Sequence, residues 1–179
     1  PSVHRTAFRQ EPEHSQAYTL GRQKAVELEG RRMLALKGEL THLQREATFL
    51  LRASPVYYTH HIVTQGYTHR GQIIGAGIGP GGVQQHVGAD LYAPWGKAGV
   101  MLQRRVHDND AFYDWAEDSG SSFDNHDVSL DVGVHALFFR RGFEYGAGVI
   151  YTRELNRYFF GPKVNNFNVS FSARWHPGS

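Results

Sequence analysis

The sequence contains no cysteine and no long run of apolar residues, and each absence excludes a class of protein. Without cysteine there is no disulfide framework, no thiolate metal site and no cysteine nucleophile. The longest uncharged stretch, 71–89, is crowded with glycine and glutamine, so no segment supplies the roughly 20 consecutive apolar residues of a membrane-spanning helix. A helical membrane protein is therefore excluded. A membrane β-barrel stays open, because its strands alternate apolar and polar residues.

The 179 residues are rich in glycine (20 residues) and in aromatics (13%), a composition typical of turns and aromatic-rich strands. The length fits a single β-domain over 1–179, in which we expect residues 1–19 to be an irregular lead-in. The chain begins with proline and has no basic-then-apolar leader, so we expect a mature product or a fragment of something longer.

The net charge is only +2, but the charge is unevenly distributed. Segment 107–127 holds seven acidic residues and no lysine or arginine, together with serines, a glycine and four aromatic residues. This composition predicts a long acidic and aromatic surface loop. Basic residues are dispersed over the other segments, which argues against a nucleic-acid-binding face.

Most of the remaining sequence alternates apolar and polar residues with period 2, which predicts β-strands. The alternation is clearest in 167–175, where every odd position is apolar and every even one polar. Short turns at 30–32 and 140–142 predict hairpins. We expect about eight strands in an all-β, antiparallel fold, over 24–29, 34–43, 57–74, 86–92, 99–106, 128–138, 143–151 and 167–175.

Two architectures share this pattern, a soluble sandwich and an outer-membrane barrel, and they differ in what the apolar face meets. Aromatic residues at strand ends, such as Tyr92, Trp95 and Phe138, lie where an interfacial girdle would place them. The final strand also ends on an aromatic residue, Trp175, like the terminal strand of outer-membrane barrels. These features favour a transmembrane β-barrel.

Segment 57–75 contains Tyr57-Tyr58-Thr59-His60, then Gly66-Tyr67-Thr68-His69-Arg70-Gly71, and then Ile73-Ile74-Gly75. This string resembles the Wzi-type capsule assembly family of bacterial outer-membrane proteins, and 79–82 and 104–110 are similar to that family as well. The resemblance covers roughly 20–175 and corresponds to the C-terminal portion of longer family members. It implies that the strands are part of a larger barrel in the bacterial outer membrane. It also implies a non-catalytic, lectin-like protein that anchors capsular or other surface polysaccharide.

The acidic loop supplies the candidate binding residues, because aromatic faces can stack on sugar rings while carboxylates accept hydrogen bonds from hydroxyl groups. A calcium loop beginning at Asp108 and a merely solvated loop are the alternatives. If Arg104 or Arg105 lines the interior with Lys37 and Arg153, that interior would be mildly cationic and suited to an acidic glycan. The candidate polysaccharide-binding residues are Asp108, Asp110, Tyr113, Asp114, Trp115, Arg104 and Arg105.

We expect no metal and no cofactor, since the adjacent His60 and His61 would point to opposite faces of a strand. An outer-membrane acyl or glycan hydrolase is an alternative function, because Ser129 and His135 share a strand face. A passive pore or a structural subunit of an envelope complex is another. The expected partners are surface polysaccharide and outer-membrane lipid, with other envelope proteins as further candidates and no nucleic acid.

Overall fold

Antiparallel β-structure dominates the part of the chain that the computed structural model describes, which is residues 3–8, 15–45, 68–69, 72–73, 77–113 and 125–176. Short helical segments lie at 109–113 and Arg157–Phe159. The strands are β1 (Val3–Phe8), β2 (Ser15–Leu28), β3 (Arg32–Arg45), β4 (Thr68–His69), β5 (Gln72–Ile73), β6 (Val83–Ala93), β7 (Gly96–Val106), β8 (Val128–Arg140), β9 (Phe143–Leu155) and β10 (Val164–Trp175).

One sheet contains eight strands in the order β1-β2-β3-β6-β7-β8-β9-β10, so each strand pairs with the next along the chain except that β3 pairs with β6. Seven of these strands are 11 to 14 residues long, and the short β1 lies at one edge. β4 and β5 form a separate two-stranded sheet. The large sheet is open, with β1 and β10 as its edges. The all-β antiparallel prediction is thus confirmed.

Short and long connections alternate along this sheet and therefore collect at opposite ends. The β2–β3, β6–β7 and β8–β9 connections are tight turns, and we call their side the tight-turn end. Segments 46–82, 107–127 and 156–163 connect strands at the opposite side, which we call the long-loop end. Among the described residues, no helix is long and apolar enough to cross a membrane.

Two of the tight turns use left-handed backbone conformations. Gly30 and Arg31 have φ of 74° and 57°, and Arg141 and Gly142 have φ of 49° and 75°. Two consecutive residues with positive φ match the twist of the flanking strands, which is why such turns join hairpins. Both predicted hairpins are confirmed.

Because strand side chains alternate and the strands pair in register, the sheet has two chemically different faces. The polar face carries Lys37, Glu39 and Thr41 of β3, Asp90 of β6, Gln103 and Arg105 of β7, Ser129, Asp131 and His135 of β8, and Thr152 and Glu154 of β9. The apolar face carries Leu34, Leu36 and Leu40 of β3, Val87 and Leu91 of β6, Val100 and Leu102 of β7, Val132, Val134 and Phe138 of β8, Val149 and Tyr151 of β9, and Phe167, Val169, Phe171 and Trp175 of β10.

The centre of the polar face is buried and most large side chains of the apolar face are exposed, the reverse of a water-soluble sheet. Asp90 and Asp131 are only 3% and 4% exposed, whereas Val134 is 52% and Phe171 is 81% exposed. The buried hydrophobic residues of the described part are few, namely Ala35, Leu43, Ile78 and Val106. The alternation in the sequence is confirmed, and the burial shows which side is packed within the chain.

Two parts of the predicted organisation differ from the structure. Residues 3–8 and 15–19 are in strands, so the prediction of an irregular lead-in is wrong there. The alternation in β1 is short and contains basic residues, and in-register pairing with β2 completes the strand. Within the predicted surface loop, residues 109–113 are helical. Most of the predicted strand 57–74, like most of the family-like string, lies outside the described residues.

Candidate functional site

Two hydrogen-bonded networks lie on the polar face, and the first is centred on Asp90. Lys37 Nζ donates to Asp90 Oδ2, and His135 Nε2 lies 2.8 Å from Asp90 Oδ1. Asp90 and His135 belong to β6 and β8 and flank Gly99 of β7 in register. A Cβ at position 99 would clash with the Asp90 carboxylate and with the His135 ring, so the two side chains meet only because residue 99 is glycine.

The second network surrounds the buried carboxylate of Asp131. Arg105 Nη2 donates to Asp131 Oδ2 over 2.9 Å, and the Thr152 hydroxyl donates to Asp131 Oδ1 over 2.6 Å. Gln103 Nε2 makes a longer bond of 3.3 Å to the same carboxylate. The charge of Asp131 is therefore compensated, as a buried carboxylate requires.

The four basic residues considered as the lining of one cationic surface do not share a face of the sheet. Lys37 and Arg105 lie on the polar face, but each is paired with a buried aspartate. Arg104 and Arg153 lie on the apolar face, because their positions alternate with those of Arg105 and Thr152. The polar face is thus charge-compensated, and the adjacent candidates Arg104 and Arg105 are on opposite faces.

At the long-loop end, segments 77–82, 107–113, 125–127 and 156–160 pack into what we call the loop cluster. Backbone hydrogen bonds of 2.9 Å join Asn109 N to Gly81 O and His107 N to Asp127 O. Tyr158 N donates to Asp127 Oδ2 over 2.9 Å. The cluster therefore ties the connection after β9 to those before and after the 114–124 segment.

The predicted loop residues have distinct positions in this cluster. Asp108 Oδ1 accepts from Ala111 N over 3.3 Å and so caps the helical segment 109–113. Asp110 is only 5% exposed, whereas Tyr113 is 54% exposed. Asp114 and Trp115 lie outside the described residues. Of the acidic candidates that are described, one caps a helix and the other is buried, so Tyr113 is the candidate that faces solvent most.

Aromatic side chains surround the cluster. Phe112 stacks on the His126 ring at 3.8 Å between centroids and also approaches Phe159 at 5.9 Å. Tyr158 and Phe160 are among the most exposed large side chains described, at 71% and 77%. The sequence alone does not identify these two residues as neighbours of segment 107–113, because their proximity depends on how the loops fold together.

A cavity of about 370 Å³ opens in the cluster beside these aromatics. It is lined by His107, Asp108, Asp127, Glu154, Arg157, Tyr158 and Phe159. Arg157 Nε lies 3.2 Å from Glu154 Oε2, but that oxygen accepts no aligned hydrogen bond. Carboxylates, a guanidinium and aromatic faces together suit a ligand that is rich in hydroxyl groups.

Ser129 and His135 lie on the same face of β8, but their side chains do not contact each other. Ser129 Oγ lies 2.6 Å from His107 Nε2, while His135 bonds Asp90 near the opposite end of the strand. Ser129 is 1% exposed. In this arrangement the hydroxyl is enclosed by protein and links β8 to the residue that follows β7.

Within the described loop cluster, His126 is the titratable group whose pKa is shifted by its surroundings. Burial lowers the pKa of His126 below its ordinary value, and the positive charge of Arg104 lowers it further. The His126 Nδ1 atom is buried and has no hydrogen-bond partner. Both effects favour the neutral form of the ring, which stacks on Phe112.

Within 3–8, 15–45, 68–69, 72–73, 77–113 and 125–176, no group of three histidine, aspartate or glutamate side chains could hold a metal ion. In comparisons with known proteins, no family model, no curated protein and no solved structure matches the chain.

Proposed function

We propose that the sheet is part of the wall of a bacterial outer-membrane barrel, whose long-loop end binds surface polysaccharide without chemical turnover. The observation that carries the proposal is the reversed burial of the two faces. The carboxylates of Asp90 and Asp131 are buried and paired within the chain, while valine, leucine and aromatic side chains face outward. This arrangement is stable when the outward face meets lipid.

The dimensions of the apolar face fit this role. From Val128 to Phe138 the apolar row of β8 extends about 33 Å along the strand, or about 25 Å across a membrane at the usual strand tilt. Aromatic residues border the row at both ends, with Trp95 stacked on Phe138 at 5.1 Å and with Tyr158 at the long-loop end. Short turns at one end and long loops at the other are typical of outer-membrane barrels.

On β2 the middle of the apolar face carries charged residues. Arg22 and Lys24 of β2 pair with Gly38 and Leu36 of β3 and so lie on the apolar side, where both are exposed. A charge at the middle of a bilayer costs about 2–4 kcal/mol. The lipid-facing surface that we propose therefore extends from β3 to β10 and stops before β2.

Gel mobility and membrane fractionation test the membrane part of the proposal. A membrane barrel should be recovered with outer membranes, resist added protease and migrate faster unboiled than boiled. Recovery in the aqueous fraction without a mobility shift would contradict the proposal. In that case the apolar face must be covered by protein.

Polysaccharide binding is supported by the chemistry of the loop cluster. Its cavity combines carboxylates with an arginine, and three exposed aromatic rings lie at the same end of the sheet: Tyr113, Tyr158 and Phe160. Ring faces stack on sugars, and the charged groups bond hydroxyls. The family resemblance of the sequence agrees with this ligand class.

Retention on immobilised acidic capsular polysaccharide tests the binding part. Tyr158→Ala and Tyr113→Ala should each weaken retention several-fold, because each removes a stacking surface at the long-loop end. Tyr145→Ala is the matched control, since Tyr145 is 46% exposed but lies near the tight-turn end. Equal retention by all three variants and the unmodified protein would contradict a binding site in the loop cluster.

A hydrolase is a second candidate function, favoured by the 2.6 Å contact between Ser129 Oγ and His107 Nε2. A serine activated by histidine is a nucleophile for acyl transfer. The test is turnover of a phospholipid or ester substrate by the protein and by Ser129→Ala. Product formation that the substitution abolishes would establish this alternative in place of the binding function.

A further inference from the structure

Between β3 and β10, the apolar face carries one row of mostly polar side chains close to its long-loop edge. In-register pairing aligns Gln85, Arg104, Leu130, Arg153 and Asn165 across β6 to β10. Each of these residues lies one to two positions inside its strand end, with apolar residues such as Val106 and Leu155 still following. The two arginines are thus embedded in the apolar face and do not belong to the loops.

Neither arginine is neutralised by the described part of the protein. The Arg104 guanidinium bonds only the neutral Gln85 Oε1, over 3.4 Å, and Arg153 forms no ion pair there. The positions of β3 and β6 to β10 on this face include no aspartate or glutamate. Two unmatched cations at the long-loop edge of a lipid-facing surface call for an anion from outside the protein.

The surface beside Arg104 also has a shape that suits a lipid. A shallow groove of about 270 Å³ lies over β6, β7 and β8, and its apolar walls include Val87, Leu102 and Val132. Gln85 and Arg104 stand at its long-loop side. A cationic head above an apolar groove is complementary to a phosphate group that is attached to acyl chains.

We propose that Arg104 and Arg153 bind the phosphate groups of a membrane lipid in the leaflet on the long-loop side, with an acyl chain in the groove. This inference rests on the membrane location proposed above. Arginine is suited to the role because its planar guanidinium makes paired hydrogen bonds to phosphate and its stem can lie along apolar surface. Tyr151 adds a polar group at the same level, since its hydroxyl donates to Asn165 Oδ1 over 2.9 Å.

The test compares the full-length protein in phosphatidylcholine vesicles with and without diphosphorylated lipid A. The readout is the lipid A content that gives the half-maximal rise in thermal-unfolding midpoint. The Arg104→Gln/Arg153→Gln variant should need more lipid A by about five-fold for each arginine. The variant Arg104→Lys/Arg153→Lys should recover part of that loss, because it keeps the charge.

A matched control removes two cations from the other end. Arg140→Gln/Arg141→Gln, at the β8–β9 turn, should respond to lipid A like the unmodified protein. An unchanged lipid A response of Arg104→Gln/Arg153→Gln would overturn the inference, as would an equal response to dephosphorylated lipid A or to inorganic phosphate. Insertion into phosphatidylcholine vesicles without any lipid A response would overturn the lipid site alone. Failure to insert into any vesicle would overturn the membrane location as well.

Discussion

A side chain at position 99 would stand where the Asp90 carboxylate and the His135 ring now meet. Gly99→Ala should therefore separate this pair and leave a buried charge with fewer partners, lowering the free energy of unfolding by about 2 kcal/mol. Gly38→Ala is the control, because a Cβ there has no heavy atom within 4 Å. Denaturant unfolding measures both, and equal effects would contradict a specific role for Gly99.

His126 gives the protein a dependence on pH that can be assigned a direction. Its pKa is lower in the folded protein than the ordinary value of 6.5, so the unfolded chain binds the proton more readily. The free energy of unfolding should fall as the pH drops below about 6.5 and level off below the lowered pKa. Unfolding midpoints at several pH values measure this slope. The His126→Gln variant should show a smaller dependence of the unfolding midpoint on pH. The comparison variant is His86→Gln, which removes an imidazole from β6, outside the loop cluster.

The residue pairs of the two networks show what alternation alone could predict. The sequence alone predicts that Arg104 lies on the apolar face, because Arg104 has the same parity as Leu102 and Val106. The contact between Asp90 and His135 could not be predicted from the sequence, since it depends on the register of three strands. Likewise, the partner of Ser129 is His107, which shared parity along one strand does not identify.

At the scale of the element, the β8–β9 turn places a non-glycine residue in the left-handed region. Arg141 has φ of 49°, which asparagine adopts more easily than arginine. Arg141→Asn should raise the free energy of unfolding by about 0.5 kcal/mol. Arg140→Asn is the control, because Arg140 is the last residue of β8 and should gain nothing. A gain in the Arg140→Asn variant alone would contradict the turn explanation.

Strands were the elements that the sequence predicted best, since their alternation and tight turns are local signals. The start of β2 was predicted too late, at 24 against Ser15, because Arg22 breaks the apolar row. The helical segment 109–113 was hidden by its acidic composition, although Asp108 is a normal helix cap. The loop cluster could not be predicted, because it is held by contacts between four separate connections.

At the scale of the molecule, one substitution distinguishes a lipid-facing sheet from a solvated one. Val134 is 52% exposed at the middle of the apolar row of β8. In a bilayer, Val134→Lys should cost about 2–4 kcal/mol of folding free energy, whereas on a solvated surface it should cost little. Phe160→Lys is the control, because Phe160 lies outside the strands and is 77% exposed. Folding titrations into phosphatidylcholine vesicles measure both changes.

The order of the strands also has a kinetic consequence. Most pairings of the large sheet join strands separated by a short turn or a loop of moderate length, so the sheet can grow by adding hairpins. The β3–β6 pairing instead closes 37 intervening residues, which costs about 2.5 kcal/mol more chain entropy than a two-residue turn. Amide hydrogen exchange should therefore reveal two cooperative units, β1–β3 and β6–β10, which separate before either unfolds.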